Sequence, residues 1–508
     1  MTSEPDYSKD VVRDLELFIG KLREMCVARM DKATANILQE SDKYMTTEAS
    51  KSSKKSEGDD KAGETKKVIK LEHHQSDIKV GLWVNLFKKS FKNLPLEFPS
   101  LGITVTVPKV FQNLHVAIRA THFPYGQISA SRWSRSDLVL GGVFQLDILT
   151  LPPVAKQVKG WIMRQITETA ADVQKNTYPI GSNLGQINMV AAQIKCSMRL
   201  PKGLILPEDP KVAWFHPLDN RWTTESIFDV DWHPDTRELR FNTVTVGSIA
   251  VVQDRLADVC YKEWSLAPVM PKDGGEEVRL TLKTKRFDVV IAAVGTKCRL
   301  IEPQIEALAE LREQDMAPGD LLNKLQAAGL NILPDDEDAA AAKYDGSEVA
   351  GVTLKNQDIE SKLCEELAIL ATSFDFRSSR WNNSIGSGRC CIQAKETDAF
   401  TGGSDLVDYT MCMVELDSES QSAKDAAENT SVCVNGGLKC LLVSGGEGPA
   451  SRAFDPDILP GTSSEVYLQT CLDNIACGET IARVNASDGI LSSTVRSLLQ
   501  LTRPFSFS

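Results

Sequence analysis

Six histidines, twelve cysteines and a few glycine pairs are the residues with which this 508-residue chain could carry out base, metal or phosphate chemistry. Their spacing argues against each. His216 and His233 each precede a proline, His122 sits in a Thr-His-Phe-Pro loop, and His73-His74 adjoins a polar, lysine-rich stretch. None has a companion at ligand or triad spacing, so each reads as an exposed or hydrogen-bonded histidine rather than a general base or metal ligand. The pairs Gly402-Gly403, Gly436-Gly437 and Gly445-Gly446 read as turns, because no Gly-x-x-x-x-Gly-Lys-Ser/Thr loop exists to cradle phosphate. Gly386-Ser387-Gly388 lacks the Gly-x-Ser-x-Gly pattern of a nucleophile elbow. No Cys-x-x-Cys occurs, and the adjacent Cys390 and Cys391, on a predicted strand, should point to opposite faces as reduced thiols. No catalytic residue, cofactor site or metal site is therefore expected.

What remains is chemistry of surfaces. Lysine plus arginine number 57 against 69 acids, a net charge of −12 that argues against coating nucleic acid. The longest uncharged apolar stretches, such as Val289 to Gly295, fall far short of the ~20 residues of a membrane span, and no apolar signal core opens the chain. The expectation is a soluble protein, not secreted by the usual route, with neither nucleic acid nor membrane as partner. Charge is unevenly spread, however. Lys51 to Lys92 holds eleven lysines and six acids, a local balance of +5. Within it, Lys54, Lys55, Lys66 and Lys67 read either as a solvated linker or as an electrostatic contact to an acidic polymer.

The elements that must position such surfaces follow from periodicity. Residues Asp6 to Asp42 carry the strongest helical period, with Leu15, Phe18, Leu22 and Met25 on one stripe that continues through Met30, Ala33 and Ile37. That stripe either packs on the protein's own core or docks on, or coils with, another chain. The Lys/Ser/Glu/Gly composition from Thr46 to Ile69 cannot repay its ordering entropy, so the helix is expected to be tethered at a distance by a flexible linker.

From Leu82 to Ile301 the pattern turns to short alternating segments, among them Leu114 to Ala120, Phe144 to Ile148, Leu239 to Phe241, Ile249 to Val251 and three strands between Arg279 and Leu300, with one helix allowed over Val158 to Val173. Trp214, Trp222, Trp232 and Trp264 read as packing residues of this region. A WD-type propeller is excluded, since neither its period nor a Trp-Asp pair occurs. Helices are predicted at Glu302 to Leu311, Pro318 to Ala328, Asp358 to Thr372 and Leu491 to Leu501, with strands at Cys390 to Ala394, Tyr409 to Leu416 and Leu438 to Val443. The fold class is α+β, mostly antiparallel β. Its order is an amphipathic helix over 1–44, a disordered linker over 45–78, and a sandwich-like region over 79–302 that could break into two units near Gln186. A helical connector with an acidic loop over 303–356 and an α+β domain over 357–508 complete it.

Several blocks, taken in order, resemble a known family. They are Leu151-Pro152-Pro153 with Lys156-Gln157-Val158-Lys159-Gly160-Trp161, Trp214 with Trp222, Gln253-Asp254, and Glu263-Trp264 with Leu266 and Pro268. Gly329-Leu330-Asn331-Ile332 with Pro334, Phe374-Asp375-Phe376 with Arg380-Trp381-Asn382, and Leu501-Thr502-Arg503 with Ser508 follow. The set is similar to the cancer susceptibility candidate 1 family, also called axonemal dynein intermediate chain 7, from about Leu94 onward. The resemblance implies a non-catalytic protein of the ciliary or flagellar axoneme, associated with inner-arm dynein, whose partners are axonemal dynein subunits and the tubulin of doublet microtubules. A cytosolic adaptor or assembly factor for axonemal dynein is the alternative. Against tubulin's acidic surface, the Lys51 to Lys92 segment is the part of this chain suited to approach.

Overall fold

A computed structural model of the chain describes residues 9–39, 69–73, 77–85, 93–124, 137–153, 156–158, 161–163, 173–178, 192–207, 209–269, 276–335, 338, 357–383, 385, 388–397, 409–416, 438–444, 457–458 and 463–507. It divides into two packed units, Met1–Lys202 with Leu206–Gln253, and Gly203–Ile205 with Asp254–Ser508. The β-rich stretch read over 79–302 is thus shared between them, and its suggested break near Gln186 lies outside the described residues.

The first unit carries helix α1 (Lys9–Gln39) and fifteen strands: β1 (Ile69–His73), β2 (Lys79–Val84), β3 (Asn93–Phe98), β4 (Ile103–Pro108), β5 (Val116–Phe123), β6 (Asp137–Thr150), β7 (Lys156–Val158), β8 (Trp161–Met163), β9 (Lys175–Asn176), β10 (Ile194–Arg199), β11 (Lys211–His216), β12 (Arg221–Thr223), β13 (Ile227–His233), β14 (Glu238–Thr243) and β15 (Gly247–Asp254). One sheet runs β1-β2-β5-β6-β15-β11-β12 with β9 beside β6, and a second runs β13-β14-β10-β4-β3. They face each other as a sandwich. Phe98 of β3 lies so close to Gly81 of β2 that a Cβ there would stand 2.3 Å from the ring, which only glycine avoids. In β4, Ile103, Val105 and Val107 are buried between half-exposed threonines, the period of two that a one-sided strand requires. β5 is buried along nearly its whole length, so a further element covers its other face.

Two expectations change here. The helix allowed over Val158 to Val173 is instead a hairpin where it is described. Val158 pairs with Trp161 with only Lys159 and Gly160 between them, a spacing that suits a reverse turn better than a helix. The linker read over 45–78 ends in structure, because Ile69–His73 pairs antiparallel with β2.

The second unit is one nine-stranded antiparallel sheet covered on one face by helices. Its strands are β16 (Glu263–Val269), β17 (Glu277–Lys283), β18 (Asp288–Val294), β19 (Lys297–Glu302), β20 (Phe374–Ser378), β21 (Arg389–Glu396), β22 (Thr410–Leu416), β23 (Leu438–Ser444) and β24 (Asp457–Ile458), in the order β19-β18-β17-β16-β20-β21-β22-β23-β24. The helices Pro318–Ala327, Gln357–Leu370, Leu468–Asp473 and Gly489–Thr502 bury Leu325, Leu367, Leu472 and Leu498 against one continuous core. Gly329, at φ +98°, ends the first of these as a left-handed cap, with the Leu330 N–H on the Leu325 carbonyl at 2.9 Å. The helix expected at Glu302 to Leu311 shrinks to a 3₁₀ turn, Glu306–Leu308, and one helical turn, Ala309–Arg312, since β19 runs to Glu302 and Pro303 follows with no N–H to donate.

Residues near 500 close this unit. The Tyr261 N–H donates to the Phe507 carbonyl at 2.7 Å, its hydroxyl to the Thr502 carbonyl at 2.8 Å, and Trp264 meets Phe505 edge-on at 5.0 Å. Cys390 points into the helix-covered core, while Cys391 joins Trp381, Met411, Leu441 and Val443 on the opposite face.

Candidate functional site

Helix α1 holds 31 residues, about 46 Å at 1.5 Å per residue. Its one glycine, Gly20, has nothing within 4 Å of a Cβ position, so the helix is open at that point of its surface. From Asp14 to Met30 no described side chain is buried. Leu15, Phe18, Leu22 and Met25 are 51%, 57%, 44% and 57% exposed, so these four side chains are not part of the buried core. Their steps of three, four and three are those of a seam that packs on another helix.

The other end of α1 is fixed. Thr34, Ala35 and Leu38 are buried, and Leu38 with Ile37 packs on Leu82 and Val84 of β2, Ala117 of β5, Leu149 of β6 and Leu151. At 100° per residue, the docked face (Asp31, Thr34, Ala35, Leu38) lies roughly half a turn from the stripe. The helix is therefore not hung on a flexible tether, as its sequence context suggested. It is a spur rooted in the sandwich, with its apolar stripe turned away from the root.

A buried charge cluster holds the root. Arg119, in the middle of β5 and 1% exposed, stands opposite Asp147 of β6 in register. Its Nε and Nη2 donate to Asp147 Oδ2 at 3.1 and 2.7 Å, and Nη1 donates to Thr34 Oγ1 of the helix at 3.1 Å. Nη2 also lies 2.6 Å from Asp31 Oδ1, an ion pair without hydrogen-bond alignment. Lys175 Nζ reaches Asp31 Oδ2 at 3.5 Å and Gln145 Nε2 donates to Asp147 Oδ1 at 2.8 Å. Two cations thus meet two carboxylates, the condition under which buried charge is tolerated. Sequence reading missed this cluster. Its signal was a charged residue inside each of two apolar strand runs, Arg119 in Ala-Ile-Arg-Ala and Asp147 in Leu-Asp-Ile.

Lys54, Lys55, Lys66 and Lys67 lie outside the described residues. Trp222 and Trp264 are buried, and Trp214 and Trp232 half-buried, as packing residues. His122 bonds the Gly141 carbonyl at 2.9 Å, and burial holds its pKa below the ordinary 6.5. Among the described residues, no three His, Cys, Asp or Glu side chains gather as a metal site, and no helix is long and apolar enough to cross a membrane.

No family model matches the chain. Over 267 residues it is 26% identical to dynein axonemal intermediate chain 7 of Danio rerio, covering 51% of this chain and 35% of that protein. Over 339 residues it is 26% identical to the Homo sapiens protein of the same name, covering 66% and 45%, and over 278 residues 27% identical to the Ciona intestinalis homolog, covering 50% and 36%. The chain is similar to dynein axonemal intermediate chain 7 over about half to two thirds of its length. It spans between about a third and under half of the length of the curated intermediate chain 7 proteins it matches.

Proposed function

We propose that this protein is a non-catalytic structural component of the axoneme of cilia and flagella, carried on inner-arm dynein, with α1 as the element that docks it. The observation that carries the reading is the exposed stripe of Leu15, Phe18, Leu22 and Met25 on a helix whose opposite face is locked to the sandwich. The name that the relatives share points to the assembly, axonemal dynein. A helical spur of this kind gains little from its own domain, and its stripe is satisfied by laying a partner helix along it. The lysine-rich segment from Lys51 to Lys92 supplies a second, electrostatic contact to the acidic surface of doublet microtubules.

Fractionation of isolated cilia with detergent and then salt tests this. The protein is expected to stay with the axoneme through detergent and to leave with dynein at high salt. Recovery in the cell body, with none in cilia, would instead make it a cytosolic adaptor or assembly factor for axonemal dynein.

A further inference from the structure

We infer that the helix-free face of the nine-stranded sheet carries a binding groove for an acidic peptide segment, rich in glutamate or aspartate. The groove starts at the fork between β16 and β20. These strands pair only at Ser265↔Arg377 and Leu266↔Phe376, after which the Ser378 Oγ accepts the Trp264 N–H at 3.0 Å and the chain turns away. A cavity of about 410 Å³ opens there, lined by Lys262, Lys283, Arg377 and Arg380 with Glu263 as its one acid. A second cavity of about 680 Å³ shares Lys262 and Lys283 with it and adds Lys285. Asp288 and Glu302 border that second cavity, and its Arg286 is committed to the buried Asp258 at 2.5 Å.

Register sets the outward row that runs past these cations. Thr281, Ser265, Arg377 and Gln393 stand opposite one another on β17, β16, β20 and β21. Their neighbours Leu280, Leu266, Phe376 and Ile392 point into the helix-covered core, so the polar row faces outward. At the 4.8 Å spacing of strands the row is about 14 Å long, the reach of roughly four residues of extended peptide. It offers two hydroxyls and an amide beside the Arg377 charge.

Two of the cations rest on aromatic faces. The Arg377 guanidinium lies 4.3 Å from the Tyr409 ring centre and that of Arg380 4.8 Å from the Trp381 ring centre. Arg377 also meets Asp375 Oδ2 at 3.4 Å, a long pair on a half-exposed guanidinium that an incoming carboxylate would have to share. Lys283 pairs with Glu263 at 2.5 Å, but both are about half exposed or more, and such surface pairs exchange readily for an incoming carboxylate. The groove is short and set in a chain of net charge −12. A long polyanion such as nucleic acid would meet repulsion beyond it, whereas a short acidic segment would not.

The test is fluorescence anisotropy of a fluorescein-labelled octaglutamate peptide with the full chain, at low and physiological salt. Binding is expected, weakening as salt rises. The double variant Lys283→Glu/Arg377→Glu should weaken it by about tenfold or more, the loss of one charge-assisted contact or better. Changing Lys54, Lys55, Lys66 and Lys67 to glutamate should leave most of the binding in place, which separates the groove from the lysine-rich segment. Should the double variant melt early, the exposed Lys262→Glu keeps the question open to measurement with the same expected direction. Undiminished binding by the groove variants, loss of binding in the segment variant alone, or equal or tighter binding of an octathymidylate would each overturn the proposal.

Discussion

Changing Leu15, Phe18 and Leu22 together to serine separates a docking helix from a packing helix. In the structure these side chains are 51%, 57% and 44% exposed, so little of their surface is removed from water by the protein itself. The intramolecular cost is then chiefly helix propensity, a few tenths of a kcal/mol per site. It falls on a spur that can fray without unfolding the sandwich, and the global melting temperature should move by no more than about 1–2 °C. Were the same three side chains buried, they would carry about 1.5 to 3 kcal/mol each, and the fold would lose several kcal/mol. Leu38→Ser is the internal control, because Leu38 is 3% exposed and its truncation should cost about 2–4 kcal/mol. Circular dichroism at 222 nm against temperature reads the stability, and retention on detergent-extracted axonemes reads the docking. The triple variant should melt like the parent and fall off the axoneme, with a loss of affinity of about a hundredfold or more. A fall in melting temperature like that of Leu38→Ser, with retention intact, would refute the reasoning.

Three further outcomes are expected. Arg119→Leu leaves Asp147 buried without its counter-charge and should destabilise the first unit by about 3–5 kcal/mol in urea unfolding, whereas Asp31→Asn, at a site 26% exposed, should cost less and show mainly as faster proteolysis within α1. Replacing Lys54, Lys55, Lys66 and Lys67 with glutamate should weaken co-sedimentation with microtubules at low salt and make little difference at high salt, and unchanged binding would remove that segment from the interface. Burial raises the Glu366 carboxyl above its ordinary 4.5, so the folded state holds that proton more tightly than the unfolded chain. The stability it contributes is full below about 4.5 and is lost as pH rises through the folded value; Glu366→Gln, which can still accept the Gln469 N–H, should therefore raise the melting temperature at pH 7 and not at pH 4.

Much of the architecture is visible in the chain because its strands alternate and its helices are capped by recognisable residues. β4 and β10 show the two-residue period plainly, and Pro318 and Gly329 bracket their helix. β5 hides its period, since a second sheet covers one face and α1 the other, and a strand buried on both faces reads as a continuous apolar run. The stripe on α1 was legible, but the face that docks was not. Thr34 is a polar residue buried only because Arg119, 85 positions away in sequence, meets it from the sheet. The groove on the second unit has no linear signature either, because Lys283 and Arg377 are neighbours only through the pairing of β17, β16 and β20.

That pairing has a consequence for the order in which the second unit can be made. Its central seam joins β16 to β20 across more than a hundred residues, and Tyr261 is held by a carbonyl 241 positions further along. The strands β16 to β19 can pair locally in chain order, but closing the β16–β20 seam costs chain entropy before its contacts repay it. Residues 489–507 must have left the ribosome before the helix-covered core can be sealed. Until then the apolar undersides of β16 to β19 lack the helices that cover them in the finished core, the kind of exposed surface on which aggregation starts.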